Sequence, residues 1–298
     1  MKELPKNESE FNQMMESLDE QFKNMGIPIY ARELRAGSEI SRIFNIKIPI
    51  VGQEQAIPGD YIGASLSGHI TKWYKERYGD KLIVSFSPGQ IVVLIRKDPY
   101  RLTLPRIYGQ VSLICDKTLK VYPETGVYNP ILGKKIGVFN ILNTIEGLTS
   151  TLANRLSENE LKEIMDLFIK ALDTFYKLEK KRDLKYLMEA KADFETAVNN
   201  ILSNKPQFGQ SKWASLQFVE KIMKGFLLYH LDRIPFTHNL TELNNLLIEN
   251  GIDVIPEELI NKIQCSPGIR YDGSLVNQDN AIKAHHASIE LISLLLTN

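Results

Sequence analysis

The stretch 210–243, QSKWASLQFVEKIMKGFLLYHLDRIPFTHNLTEL, constrains this chain more than any other. Trp213, Leu216, Val219, Ile222, Met223, Phe226 and Leu227 recur at spacings of three and four, so a 3.6-residue period places them on one helical face that must be buried. Glu220 and Lys224 stand four apart, in the order that favours an ion pair on an exposed or half-exposed side. Pro235 lacks an amide hydrogen and restricts Ile234 before it, so the helix is expected to stop there. Thr237, His238 and Asn239 then read as a turn, and Leu240, Leu243, Leu246 and Leu247 open a second helical face. Amphipathic helices joined by short connections favour antiparallel neighbours, which predicts a helical bundle.

The rest of the chain is long enough for a second domain: 298 residues with 43% hydrophobic and 24% charged content are ordinary for a globular protein. No run of about 18 apolar residues occurs and no apolar block follows Met1, so neither a membrane span nor a secretory signal is expected. The reading is a cytoplasmic protein with no membrane partner. Cys115 and Cys265 belong to no paired spacing, which argues against a disulfide framework or a metal site and for two buried free thiols. Net charge is zero but unevenly spread. Residues 72–120 hold ten basic against four acidic side chains, whereas residues 184–298 hold ten basic against thirteen acidic. Such a split suits an acidic partner or nucleic acid, and it equally suits a solvated face.

In chain order, residues 1–6 read as a loose tail. Asn7 with Glu10 starts a helix whose inward face is Phe11, Met14, Met15, Leu18 and Phe22. A second helix is expected over 31–44, with Arg32, Glu33, Arg35 and Glu39 on its polar side; 45–62 reads as extended chain with turns, and 67–78 as a helix. Strands are expected over 82–86, 90–96, 100–104 and 110–115, separated by turns that include Ser87-Pro88-Gly89 and Asp98-Pro99. Their short connections predict an antiparallel meander. The fold class is therefore α+β: a small sheet with helices in a domain over 1–130, then a helical connector over 131–183 and a helical domain over 184–298. The proline- and glycine-containing stretch 123–135 marks the boundary. Within the connector, helices are expected over 136–155 and 158–182, the second capped by Ser157 with Glu160 three residues on.

The sheet region mixes Arg96, Lys97, Arg101 and Arg106 with Trp73, Tyr74, Tyr100 and Tyr108. Cationic groups neutralise phosphates and aromatic faces stack on unpaired bases, so Trp73, Arg96, Lys97, Arg101 and Arg106 are the candidate contacts for RNA or another single-stranded nucleic acid. Cross-strand packing and solvation explain the same residues without a ligand. Neither G-x-x-x-x-G-K-[ST] nor G-x-G-x-x-G occurs, so no phosphate-loop cofactor is expected. His285 and His286 are adjacent and diverge by about 100° on a helix, so they cannot share a metal, and none is expected.

Four short pieces in order carry a resemblance. They are FVEKIMKG at 218–225, PFTHNL at 235–240, Arg270-Tyr271, and a last helix with Ala281, Ala284 and Ala287, preceded by LMEAKADFETAVNNIL at 187–202. Together they resemble the HEPN domains over 184–298. The resemblance implies an up-and-down helical bundle that self-associates as a homodimer. It also implies an adaptor or binding role in prokaryotic defence or toxin–antitoxin systems, or pairing with a separate nucleotidyltransferase chain. Catalytic members carry an arginine and a histidine four to six residues apart, a spacing that Arg233 and His238 match, which implies a metal-independent ribonuclease as the alternative. Ile234-Pro235 after the arginine departs from the usual polar residue there. His238 in a turn is also explained structurally, by capping the helix of Leu240 or bonding a nearby carbonyl. Arg270 with Tyr271 reads as a phosphate or partner contact, or as a tie between loop and bundle.

Overall fold

The computed structural model describes residues 3–83, 86–123, 126–129, 131–228, 231, 235–252, 254–271 and 275–297. The chain is mixed α+β and divides into two compact units, Met1–Ser85 and Phe86–Asn298.

The first unit is three helices: α1 (Glu8–Asn24), α2 (Ile29–Phe44) and α3 (Gly63–Tyr78). Asn7 caps α1 by accepting from the Glu10 amide at 2.9 Å, so the predicted start holds. Phe11, Met15, Leu18 and Phe22 of α1 are buried with Ala36 and Ile40 of α2 and with Leu66, Ile70 and Tyr74 of α3. Arg32 is not on a solvated side. It is buried, donates to Asp19 at 3.3 Å and to the Ile27 carbonyl at 2.8 Å, and so joins α2 to α1 by a charge that folding must keep paired.

The second unit begins with two small sheets. β1 (Gln90–Ile95) and β2 (Asp98–Thr103) form an antiparallel hairpin whose turn is Arg96-Lys97, both at positive φ. The sequence places that turn at Asp98-Pro99, because proline argues against a strand. Leu104 donates to the Gly89 carbonyl at 3.0 Å, so in this register Pro99 falls at a non-bonded pair and its missing amide hydrogen costs the ladder nothing. β3 (Val111–Ile114), β4 (Val127–Asn129) and β5 (Lys134–Asn140) form the other sheet in the order β3-β5-β4. β3 runs parallel to β5, which corrects the expected meander. The connection from Ile114 to Lys134 has the length a parallel crossover needs, and β4 lies within it. β5 also replaces the start of the helix expected over 136–155, of which a 3-10 turn at Ile141–Thr144 and the short α4 (Ser150–Ala153) are helical. No strand forms at 82–86 among the described residues: Leu82 closes a 3-10 turn.

Five longer helical segments follow α4: α5 (Glu158–Lys180), α6 (Leu187–Leu202), α7 (Phe208–Leu227), α8 (Leu240–Glu249) and α10 (Gln278–Leu295), with the short α9 (Glu257–Ile263) before the last. The Ser157–Glu160 capping box opens α5 as its sequence predicts. Helices α6–α10 pack as a bundle around α7, which touches α6, α8, α9 and α10. Its burial extends beyond the predicted stripe, to Ser211, Ser215, Phe218 and Glu220. α7 ends at Leu227, before Pro235 is reached.

At the start of α7 the contact is closest. A methyl on Gly209 would lie 2.1 Å from the Ile269 carbonyl oxygen, so only glycine admits that approach. Gly209→Ala is expected to lower stability by about 1–3 kcal/mol despite alanine's better helix propensity, read as a lower urea midpoint. A higher midpoint would contradict the packing of 267–270 on this helix.

Candidate functional site

Along α7, Trp213, Gln217, Glu220 and Lys224 lie at spacings of four, three and four, one stripe on one face. The carboxylate of Glu220 is its centre. It is 4% exposed, and it accepts from Gln217 Nε2 at 3.0 Å, from Lys224 Nζ at 2.9 Å and from His238 Nδ1 at 2.8 Å. Three partners satisfy an anion that burial would otherwise penalise. The Glu220–Lys224 pair forms as its spacing predicts, with the lysine half-buried and the carboxylate buried. On the same helix Lys221 pairs with Asp193 of α6, whose carboxyl is pushed up from its ordinary value first by burial.

His238 stands at the mouth of this stripe, its side chain 58% exposed. Glu220 can only accept, so Nδ1 carries the proton and Nε2 is the nitrogen left for chemistry. The histidine does not cap α8. Asn239 does so by accepting from the Thr241 amide at 2.9 Å, and Gln264 Oε1 accepts from the Leu240 amide at 2.8 Å. The same Gln264 donates to the His238 carbonyl at 3.3 Å, which ties the turn to the end of α9.

The Trp213 ring links this histidine to the second candidate pair. Its centre is 6.0 Å from the His238 ring and 4.6 Å from the Arg270 guanidinium carbon, within cation–π range. Arg270 donates through Nε to the Pro267 carbonyl at 3.1 Å, and its own carbonyl accepts from Gln210 of α7 at 3.0 Å. Among the described residues no carboxylate pairs with Arg270, whose guanidinium is stacked on the indole. Tyr271 beside it is 83% exposed, with Arg270 5.3 Å from its ring centre. The fold thus brings His238 and Arg270 to one indole. Arg233 lies outside the described residues.

The five candidate nucleic-acid contacts are divided between the two units. Trp73 belongs to the first unit, where the Arg77 guanidinium lies 4.8 Å from its ring centre. Arg96 and Lys97 occupy the β1–β2 turn and are exposed. Arg101 is engaged by Glu146 at 3.2 Å, Gln90 at 2.6 Å and Asn199 at 3.0 Å. Arg106 makes a two-pronged contact with Glu179 at 2.9 and 2.7 Å. Among the described residues no cluster of three or more His, Cys, Asp or Glu could hold a metal, and no helix is long and apolar enough to cross a membrane. Cys115 and Cys265 are free, and burial pushes both thiols up to about 11, which leaves them poor nucleophiles.

Glu220 and Gln217 are the site residues that sequence reasoning passed over. The signal was present as a polar stripe beginning at Trp213, but the partner His238 is eighteen positions away, beyond the reach of local spacing.

A helical bundle with His238 and Arg270 at one tryptophan, and a buried carboxylate holding the histidine, occupies the C-terminal part of the chain. Residues 184–295 match the family model of the HEPN domain, and the chain carries that domain there; the region before it is unassigned. No curated protein and no solved structure matches the chain.

Proposed function

We propose that this HEPN-domain protein works by binding, and that its HEPN domain receives a phosphate-bearing ligand, RNA or another single-stranded nucleic acid, between Arg270 and His238 beside Trp213. The observation that carries this is the convergence of a guanidinium and an oriented imidazole on one half-buried indole. Guanidinium and imidazolium groups recognise phosphate oxygens, and an indole edge or face offers stacking to a base. Arg96 and Lys97 are the sheet residues open to an auxiliary contact, since Arg101 and Arg106 are already paired with carboxylates. In this reading the bundle self-associates and acts as an adaptor, in a defence or toxin–antitoxin setting or beside a nucleotidyltransferase chain.

The Glu220–His238 contact favours a second reading, metal-independent RNA cleavage. A carboxylate that holds Nδ1–H leaves Nε2 free to take or give a proton, and a cationic side chain stabilises the charge that develops on phosphorus-bound oxygens.

One experiment separates them. A labelled single-stranded RNA is titrated with the protein in chelator and followed by anisotropy and by gel. Binding is expected to weaken about tenfold or more in Arg270→Ala, with an unchanged melting temperature, which is the loss of one charge-assisted contact. Equal affinity in wild type and variant would remove the site. Cleavage by the wild type that disappears in His238→Ala and in Glu220→Gln would promote the ribonuclease reading.

A further inference from the structure

The hairpin of β4 and β5 presents large apolar side chains where solvent-facing turns usually carry polar ones. Ile131 is 92% exposed, Tyr128 61% and Leu132 53%. The Asn129 side-chain oxygen accepts from the Ile131 amide at 3.0 Å and from the Leu132 amide at 3.1 Å. Both amide hydrogens are thus satisfied within the protein while the two side chains stay exposed. Immediately behind the tip come Lys134 and Lys135, both exposed, and neither is ion-paired among the described residues. Lys135 is the cross-strand partner of Tyr128 and Lys134 that of Asn129, so the antiparallel register sets both charges just behind the apolar tip.

We propose that this hairpin is a docking element for an anionic lipid surface: Ile131 and Leu132 enter the boundary between headgroups and acyl chains while Lys134 and Lys135 meet the headgroup phosphates. Charge complementarity favours a bilayer over a protein groove, and the Ile131 and Leu132 amides already bonded to Asn129 lower the cost of entering an apolar medium. The lysines sit one step behind the apolar pair, where long cationic side chains reach the headgroup level. Attachment of this kind needs no spanning helix, and it departs from the expectation of a protein without a membrane partner.

The test is co-sedimentation of the full chain with vesicles of phosphatidylcholine alone and of phosphatidylcholine mixed with phosphatidylglycerol. The wild type is expected to sediment with the mixed vesicles and to be released by salt. Lys134→Gln with Lys135→Gln should weaken that binding by about 30-fold, the sum of two near-surface lysines. Ile131→Asp with Leu132→Asp should reduce it to background while circular dichroism and melting stay those of the wild type. No sedimentation of the wild type, or equal sedimentation of the folded aspartate variant, would overturn the proposal. So would a variant that changes only the oligomeric state, which would make the tip a contact between copies of this chain.

Discussion

Phe218→Ala is expected to lower the unfolding free energy by about 3–5 kcal/mol, the range for deleting a fully buried ring. Phe218 is 0% exposed and stands where three helices meet. Its ring centre is 4.8 Å from Phe194 of α6 and 6.5 Å from Phe175 of α5, with planes 5° apart in the second pair; Phe175 and Phe194 are themselves 4.9 Å apart. Edge and offset contacts of this kind add to area burial, and removal leaves a cavity that two neighbouring rings cannot fill by rotating. Trp213 and Phe226 are only partly buried, so alanine at either should cost less than at Phe218. Urea unfolding of the three variants gives the order. A Phe218→Ala midpoint no lower than that of Phe226→Ala would contradict the central position of α7.

Acid is expected to destabilise the second unit from about pH 6.5 downward. His285 is fully buried and its pKa is held well below the ordinary value of 6.5, first by burial and then by the neighbouring His286, which burial also lowers. Both rings hold one residue of β1. The Val92 amide donates to His285 Nε2 at 3.2 Å, and His286 Nε2 donates to the Val92 carbonyl at 2.8 Å. The pair therefore adopts opposite tautomers, with the proton of neutral His285 on Nδ1. Protonating His285 at Nε2 would break the bond from Val92 and place a charge beside Phe194. The unfolded chain binds the proton more readily, so stability rises with pH: it is complete above about 6.5 and is lost below. His285, fully buried, carries the larger share of this loss. Glu163 faces His286 and moderates its share. Thermal melts across that range check it; a flat profile would mean that neither imidazole is held neutral.

Much of the helical architecture is legible in residues. Asn7 with Glu10 and Ser157 with Glu160 start helices where the chain says they should, because a cap is a local hydrogen-bonding event. The short pieces from 187 onward resemble HEPN, and that domain is matched over 184–295. What the sequence hides is non-local. A helix at the centre of a bundle is buried beyond one stripe, so the periodicity of α7 names Leu216 and Ile222 but passes over Phe218 and the buried Glu220. The parallel pairing of β3 with β5 depends on a strand that begins after Gly133, in a segment whose apolar spacing also suits a helix. Arg101 and Arg106 look like free charges until the fold supplies Glu146 and Glu179.

The chain has two tryptophans, so in a Trp73→Phe background Trp213 is a single reporter inside the proposed site. Its fluorescence is the most direct measurement, taken while single-stranded RNA is titrated in chelator. A saturable change at the concentrations where anisotropy reports binding, lost in Arg270→Ala and weakened by salt, is the expected result. RNA binding that leaves Trp213 silent, or a signal unchanged by Arg270→Ala, would place recognition elsewhere on the protein and contradict the site.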